Sequence, residues 1–111
     1  MDKIVFITGA SSGIGAGCAR KFASQGASLI LNARNVNKLS ALKEELEKQY
    51  GAKIYLLPFD VRDRKAATSA LESLPKEWQS IDILVNNAGL VIGTDKEQEG
   101  SLDEWDIVNR Y

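Results

Sequence analysis

The segment Thr8-Gly9-Ala10-Ser11-Ser12-Gly13-Ile14-Gly15 constrains this chain more than any other. It follows directly on the apolar run Ile4-Val5-Phe6-Ile7. It also opens a stretch in which Ile14, Cys18 and Phe22 recur at helical spacing until Gly26 stops them. A strand that feeds a glycine-rich turn and then a helix is suited to holding phosphate. The glycines let the backbone turn sharply and approach the phosphate oxygens, while the helix start offers unpaired N–H groups and a positive dipole end. Such turns also occur for geometric reasons alone, so the remaining residues must decide.

Those residues read as alternating strands and helices. Ile4–Thr8 is a first strand and Ser28–Ala33 a second. Val36, Leu39, Leu42, Leu46 and Tyr50 trace one helix stripe, ended by Gly51. Lys53–Phe59 is a third strand, and Ala67, Ala70, Leu71 and Leu74 form another stripe closed by Pro75. Ile81–Val85 is a fourth, nearly unbroken apolar run of the kind a parallel sheet buries on both faces. After a polar loop, Ser101-Leu102-Asp103-Glu104 has the pattern of a capping box opening a last helix. The expectation is an α/β fold: a Rossmann-type doubly wound parallel sheet, its first half only, with four strands in the order 3-2-1-4. Ile81–Val85 is then the edge strand, and ligands bind where the winding reverses between strands 1 and 4. All 111 residues make one domain, incomplete at its C-terminal end.

Charge sharpens this. The net charge is −1, which gives no reason to expect nucleic acid. Yet no acidic residue falls between Lys3 and Lys43, whereas Arg20, Lys21, Arg34 and Lys38 do, and a first half without carboxylates suits a polyanionic ligand. Cys18 stands alone and reads as a small residue on a helix face, with no internal disulfide; a reducing, cytoplasmic setting is expected. The apolar run after Met1-Asp2-Lys3 is too short for a signal peptide or a membrane span, so no membrane partner is expected.

Three further features bear on the ligand. The second strand ends Leu31-Asn32-Ala33-Arg34-Asn35, without the carboxylate that an NAD site places near here for the ribose diol. Arg34 is a permanent cation whose planar fork suits a 2′-phosphate; a solvated loop arginine is the plain alternative, and the absence of any competing acid favours the 2′-phosphate. Asp60-Val61 closes the third strand and Asn86-Asn87-Ala88-Gly89 the fourth, both at the carboxyl edge of the sheet. Asp60 is placed to accept a hydrogen bond from an adenine amino group with Val61 packing on the ring, or to cap the helix that begins nearby. Asn86 and Asn87 fit a simple turn, while the absence of large side chains also permits close approach of a ligand.

Together, Thr8-Gly-x-x-x-Gly-Ile-Gly15, Asp60-Val61 and Asn86-Asn-Ala-Gly89 resemble the short-chain dehydrogenase/reductase family, in order and at the family's spacing over nearly the whole chain. The resemblance implies a fold that binds NAD(P)(H), with Arg34 where the family marks a preference for NADP over NAD. Ser73-Leu74-Pro75, Glu77-Trp78, Ile81–Val85 and Leu90 are similar to the NADP-dependent branch that oxidises 3-hydroxy acids such as serine and allo-threonine. On this reading Gly9, Ser11, Ser12, Gly13, Ile14 and Gly15 hold the pyrophosphate. Arg34 and Asn35 face the 2′-phosphate, Asp60 and Val61 the adenine, and Asn87, Ala88 and Gly89 the nicotinamide-side ribose. The implied partners are the dinucleotide and a small alcohol or hydroxy acid, in relatives that form homo-oligomers.

The family's chemistry also uses a Tyr-x-x-x-Lys pair, a preceding Ser and a helix-borne Asn. Tyr50-Gly51-Ala52-Lys53 has one residue too few and straddles a helix-ending glycine, so no catalytic residue is assigned; Tyr50 reads as core. Gly9-Ala10-Ser11-Ser12-Gly13 also fits the nucleophile elbow of hydrolases, but the chain contains no histidine to serve as base. Without histidine, and with one cysteine, no metal site is expected. Relatives similar to this chain continue past a segment like Trp105-Asp106-Ile107-Val108 with residues resembling Ile-Asp-Thr-Asn, whereas here Asn109-Arg110-Tyr111 follow. One adenine inserted before ATC GAT ACT AAT yields Asn-Arg-Tyr-stop. A frameshifted gene, giving an inactive nucleotide-binding fragment, is therefore the alternative to an oxidoreductase, and Asn109 is not expected to be the family's asparagine.

Overall fold

The structure, a computed structural model, describes residues 2–90 and 106–109, the latter by their backbone. The described elements are β1 (Ile4–Thr8), α1 (Gly13–Ser24), β2 (Ser28–Leu31), α2 (Val36–Tyr50), β3 (Ile54–Leu56), α3 (Arg64–Glu72), a 3-10 turn at Lys76–Trp78, β4 (Ile83–Asn86) and β5 (Asp106–Asn109). All strand pairings are parallel and the sheet order is β3-β2-β1-β4-β5. The order 3-2-1-4 is as the alternating pattern implied, with one strand more.

That additional strand corrects two expectations. The stretch 106–109 was expected to lie in a helix, yet it pairs with β4, Ile83 opposite Asp106 and Asn86 opposite Asn109. Ile107 and Val108 are β-branched, and β4 offers them an unpaired ladder, which outweighs a weak local helical pattern. Consequently β4 is an inner strand and not the edge. The capping box at Ser101–Glu104 lies outside the described residues.

Period-two alternation sends neighbouring residues to opposite faces. Val5, Ile7, Leu29, Leu31 and Val85 pack with Ala16, Ala19 and Ala23 of α1 and with Leu39, Leu42 and Leu46 of α2. Phe6, Ile30 and Leu84 face the other way, onto Ala67, Leu74, Trp78 and Leu90. The first two helices thus cover one face and α3 the other, as right-handed crossovers on either side of β1 require. Each helix begins on a polar cap: Ser12, Asn35 and Asp63 accept from the N–H of Gly15, Lys38 and Ala66. Tyr50, expected in the core, is 37% exposed at the last turn of α2, where the stripe has drifted off the buried face. No described helix is long and apolar enough to cross a membrane.

Candidate functional site

β1 ends at Thr8, and the backbone reverses at Gly9, which adopts φ +63°. A side chain there would be strained, and its Cβ would lie 3.0 Å from Asn87 Nδ2 and 3.1 Å from the Ala88 Cβ. Gly15 serves close packing of a different kind. A Cβ on it would collide with the Gly9 carbonyl oxygen and lie 2.8 Å from the Gly9 carbonyl carbon, so α1 can start this close to the turn only through glycine. Gly13 differs from both: a Cβ there would meet no atom within 4 Å. Nothing inside the protein needs a glycine at position 13, and its open face leaves room for a ligand to approach the backbone.

Hydrogen bonds knit this turn to the loop after β4. Ser12 Oγ donates to the Gly9 carbonyl (2.9 Å) and accepts from Gly15 N–H (3.1 Å) and from Asn87 Nδ2 (2.9 Å). Asn87 Nδ2 also donates to the Gly9 carbonyl at 3.2 Å. Below them the buried Thr8 hydroxyl donates to Asn86 Oδ1 (3.1 Å) and accepts from Ala88 N–H (3.0 Å). Asn86 folds the loop back through its bonds with Leu90, N–H to Oδ1 at 2.7 Å and Nδ2 to the carbonyl at 3.0 Å. The Ser12 and Asn87 side chains are therefore engaged within the protein, whereas Ile14 stands 59% exposed at the opening of α1.

An open cleft of about 480 Å³ runs along the carboxyl ends of the strands. Gly9, Ser11, Ser12, Arg34, Asp60, Val61 and Ala88 line it together with Asn32, Ala33, Lys38, Phe59 and Arg62. Of the residues singled out in the sequence, Gly13, Ile14, Gly15, Asn35, Asn87 and Gly89 are not on its wall. The first three start α1 beside it, and Asn35 caps α2, accepting from Lys38 N–H at 3.1 Å. Gly89 takes φ +73° in the exposed loop.

Asp60 is not the cap of α3; that role falls to Asp63. Asp60 instead grips Arg62: Oδ1 accepts from the Arg62 backbone N–H (2.9 Å) and Nε (3.1 Å), and Oδ2 accepts from Nη2 (2.9 Å). Arg34 Nη1 lies 3.9 Å from the same Oδ2. The side-chain and backbone hydrogen bonds from Arg62 pull the Asp60 carboxyl down to about 2.

Asn32, Lys38, Phe59 and Arg62 were not picked out by sequence reasoning. Asn32, 1% exposed, lies just beyond β2, where its Nδ2 donates to the carbonyls of Leu57 and Phe59 (both 3.1 Å) and its Oδ1 accepts from Gly9 N–H (3.4 Å). A polar residue closing the apolar run Leu29-Ile30-Leu31 was the available signal. Lys38 showed itself only as one cation of an acid-free stretch, and Arg62 only by standing two residues after Asp60.

Comparison with known proteins accords with this geometry. The profile of the short chain dehydrogenase family matches residues 3–110. The NADP-dependent 3-hydroxy acid dehydrogenase YdfG of Escherichia coli is 43% identical over 105 residues, which are 95% of this chain and 41% of that protein. Serine dehydrogenase from Escherichia coli superposes with a TM-score of 0.70 at 43% identity, covering 92% of this chain and 45% of that one. The alcohol dehydrogenase of the archaeon Thermococcus sibiricus, complexed with 5-hydroxy-NADP, superposes with a TM-score of 0.75 at 33% identity, covering 94% and 44%. The chain thus spans less than half the length of these relatives. With its glycine turn, its sheet order and nearly every residue within the matched span, the chain belongs to the short-chain dehydrogenase family.

Proposed function

We propose that these residues form the cofactor-binding part of an NADP(H)-dependent oxidoreductase that transfers hydride between an alcohol or 3-hydroxy acid and the corresponding carbonyl compound. The observation that carries the reading is the single cleft joining the glycine turn to Arg34. Gly9, Ser11, Ser12, Gly13, Ile14 and Gly15 form the pyrophosphate seat, with Gly13 giving the open approach. Arg34 faces the 2′-phosphate from the mouth, beside the capped start of α2 at Asn35. Val61 packs on the adenine, and Asp60 Oδ2, which has lone-pair capacity left after the Arg62 bond, accepts from the adenine amino group. Asn87, Ala88 and Gly89 take the nicotinamide-side ribose. The bound nicotinamide supplies or accepts the hydride; these residues hold and orient it. The names of the relatives, NADP-dependent in one case and NADP-liganded in another, support the choice of cofactor. The lone Cys18 suits a reducing, cytoplasmic setting.

The test is calorimetry with NADPH and NADH on the wild type and on Arg34→Ala. One charge-assisted contact contributes on the order of 1.5–3 kcal/mol, so a preference of about tenfold or more for NADPH should vanish in the variant. Equal affinities in the wild type would refute it. NADPH with a panel of 3-keto acids tests the transfer itself, since only hydride transfer to the substrate consumes the cofactor.

A further inference from the structure

The mouth of the cleft carries more positive charge than one arginine provides. Arg34, Lys38 and Arg62 all line the cleft, and Asp60 is the one carboxylate among the described residues that line it. Taken together they leave a net charge of +2, which matches the −1.5 to −2 of a phosphomonoester at neutral pH.

The three cations are not equally committed. Arg62 spends Nε and one Nη2 hydrogen on Asp60, which fixes the guanidinium plane and leaves three of its five donors free. Arg34 is 68% exposed and reaches Asp60 only at 3.9 Å. Lys38 makes no ion pair among the described residues, while the neighbouring lysines of α2 do: Lys43 with Glu47 and Lys48 with Glu44. Its own backbone N–H is tied down by Asn35, so the stem of Lys38 rises from a fixed first turn that contains no acid.

We propose that Lys38 and Arg62 are further specificity-determining residues of this site, closing with Arg34 a three-cation mouth that reads the ribose 2′-phosphate. Asp60 is the positioning residue that holds Arg62 across the mouth. The inference rests on the NADP reading above and extends it to residues for which that reading has no role.

The experiment is a titration of NADPH and NADH into the wild type, Arg34→Ala, Lys38→Gln, Lys38→Arg and Arg62→Gln, at low and at high potassium chloride, with circular dichroism as the check on folding. Lys38→Gln and Arg62→Gln should each weaken NADPH about three- to tenfold and leave NADH within about twofold. The excess salt sensitivity of NADPH over NADH should shrink in both, and Lys38→Arg should behave as wild type. If Arg34→Ala abolishes the preference while both glutamine variants keep it in full, this inference falls and the NADP reading stands. Should the wild type show no preference, both fall. A loss in Lys38→Arg as large as that in Lys38→Gln would also overturn it, because charge would not be what position 38 supplies.

Discussion

Asn32 is the most informative residue to remove. Its side chain is buried at the carboxyl ends of three strands, bonded to the carbonyls of Leu57 and Phe59 at 3.1 Å each and to Gly9 N–H at 3.4 Å. Asn32→Ala deletes two well-formed bonds and one long one, and deprives two carbonyls of donors in a place water reaches poorly. At about 1 kcal/mol net per good bond, with a further penalty for groups left unpaired, the cost is roughly 2–4 kcal/mol. That is a large share of the ~5–15 kcal/mol that holds an ordinary domain together. At roughly 4 °C per kcal/mol for a chain of this size, Tm should fall by about 8–16 °C. Asn32→Asp should cost at least as much despite its nearly identical shape, because a carboxylate would face two carbonyl oxygens with nothing to donate. Thermal and urea unfolding followed by circular dichroism measure both. A drop of less than about 3 °C for Asn32→Ala, or an aspartate variant more stable than the alanine one, would refute the donor argument.

The two helix-start glycines should respond oppositely. Gly15→Ala drives a Cβ into the Gly9 backbone and should cost about 2 kcal/mol or more, visible as a lowered Tm. Gly13→Ala meets no atom and should hold or raise Tm, yet weaken NADPH at least about tenfold by filling the phosphate's approach. The pH dependence of the NADPH preference should come from the ligand rather than from Asp60. The Asp60 carboxyl is depressed to about 2, so it stays ionised above that value and loses its hold on Arg62 only as pH falls through it. A 2′-phosphate takes up its second proton near pH ~6, so the preference should rise through that region and be flat above about 7.5. Calorimetry over the range would expose the error as an inflection near pH ~4, the value of an unperturbed aspartate.

How much of this was legible in the sequence varies with distance along the chain. β1 was readable to the residue, and the helix after it from the stripe Ile14, Cys18 and Phe22 and the stop at Gly26, because strand, turn and stripe are local; the start at Gly13 and the cap at Ser12 were not read. The start of α2 was legible from Val36 and its end from Gly51, since stripe and stop signal are local too. β2 was expected to run to Ala33 and ends at Leu31, where Asn32 turns its amide to the carbonyls of Leu57 and Phe59 just past β3, 25 and 27 positions away. β5 was missed for a similar reason. Whether Ile107-Val108 is strand or helix depends on the ladder that β4 offers, and that ladder is not written in the residues around them. Ser12 and Asn87 were singled out in the sequence, but their bond to each other spans 75 positions and had no local trace.

That bond changes what the site is made of. Ser12 Oγ already donates once and accepts twice, and Asn87 Nδ2 already serves two acceptors, so neither group is idle before a ligand arrives. Their work is to lock the turn after β1 against the loop after β4 at the point where the winding of the sheet reverses. The first-turn N–H groups of Gly13 and Ile14, which a helix cannot satisfy internally, then stand fixed beside the open face of Gly13. On the proposed reading the work is divided: the polar side chains shape the backbone, the backbone would meet the pyrophosphate, and the cations lining the cleft would choose between dinucleotides. Ser12→Ala should accordingly weaken NADPH and NADH alike, by removing the lock, and leave their ratio unchanged. A ratio that shifted in Ser12→Ala would mean that the serine touches the discriminating phosphate, and the division would be wrong.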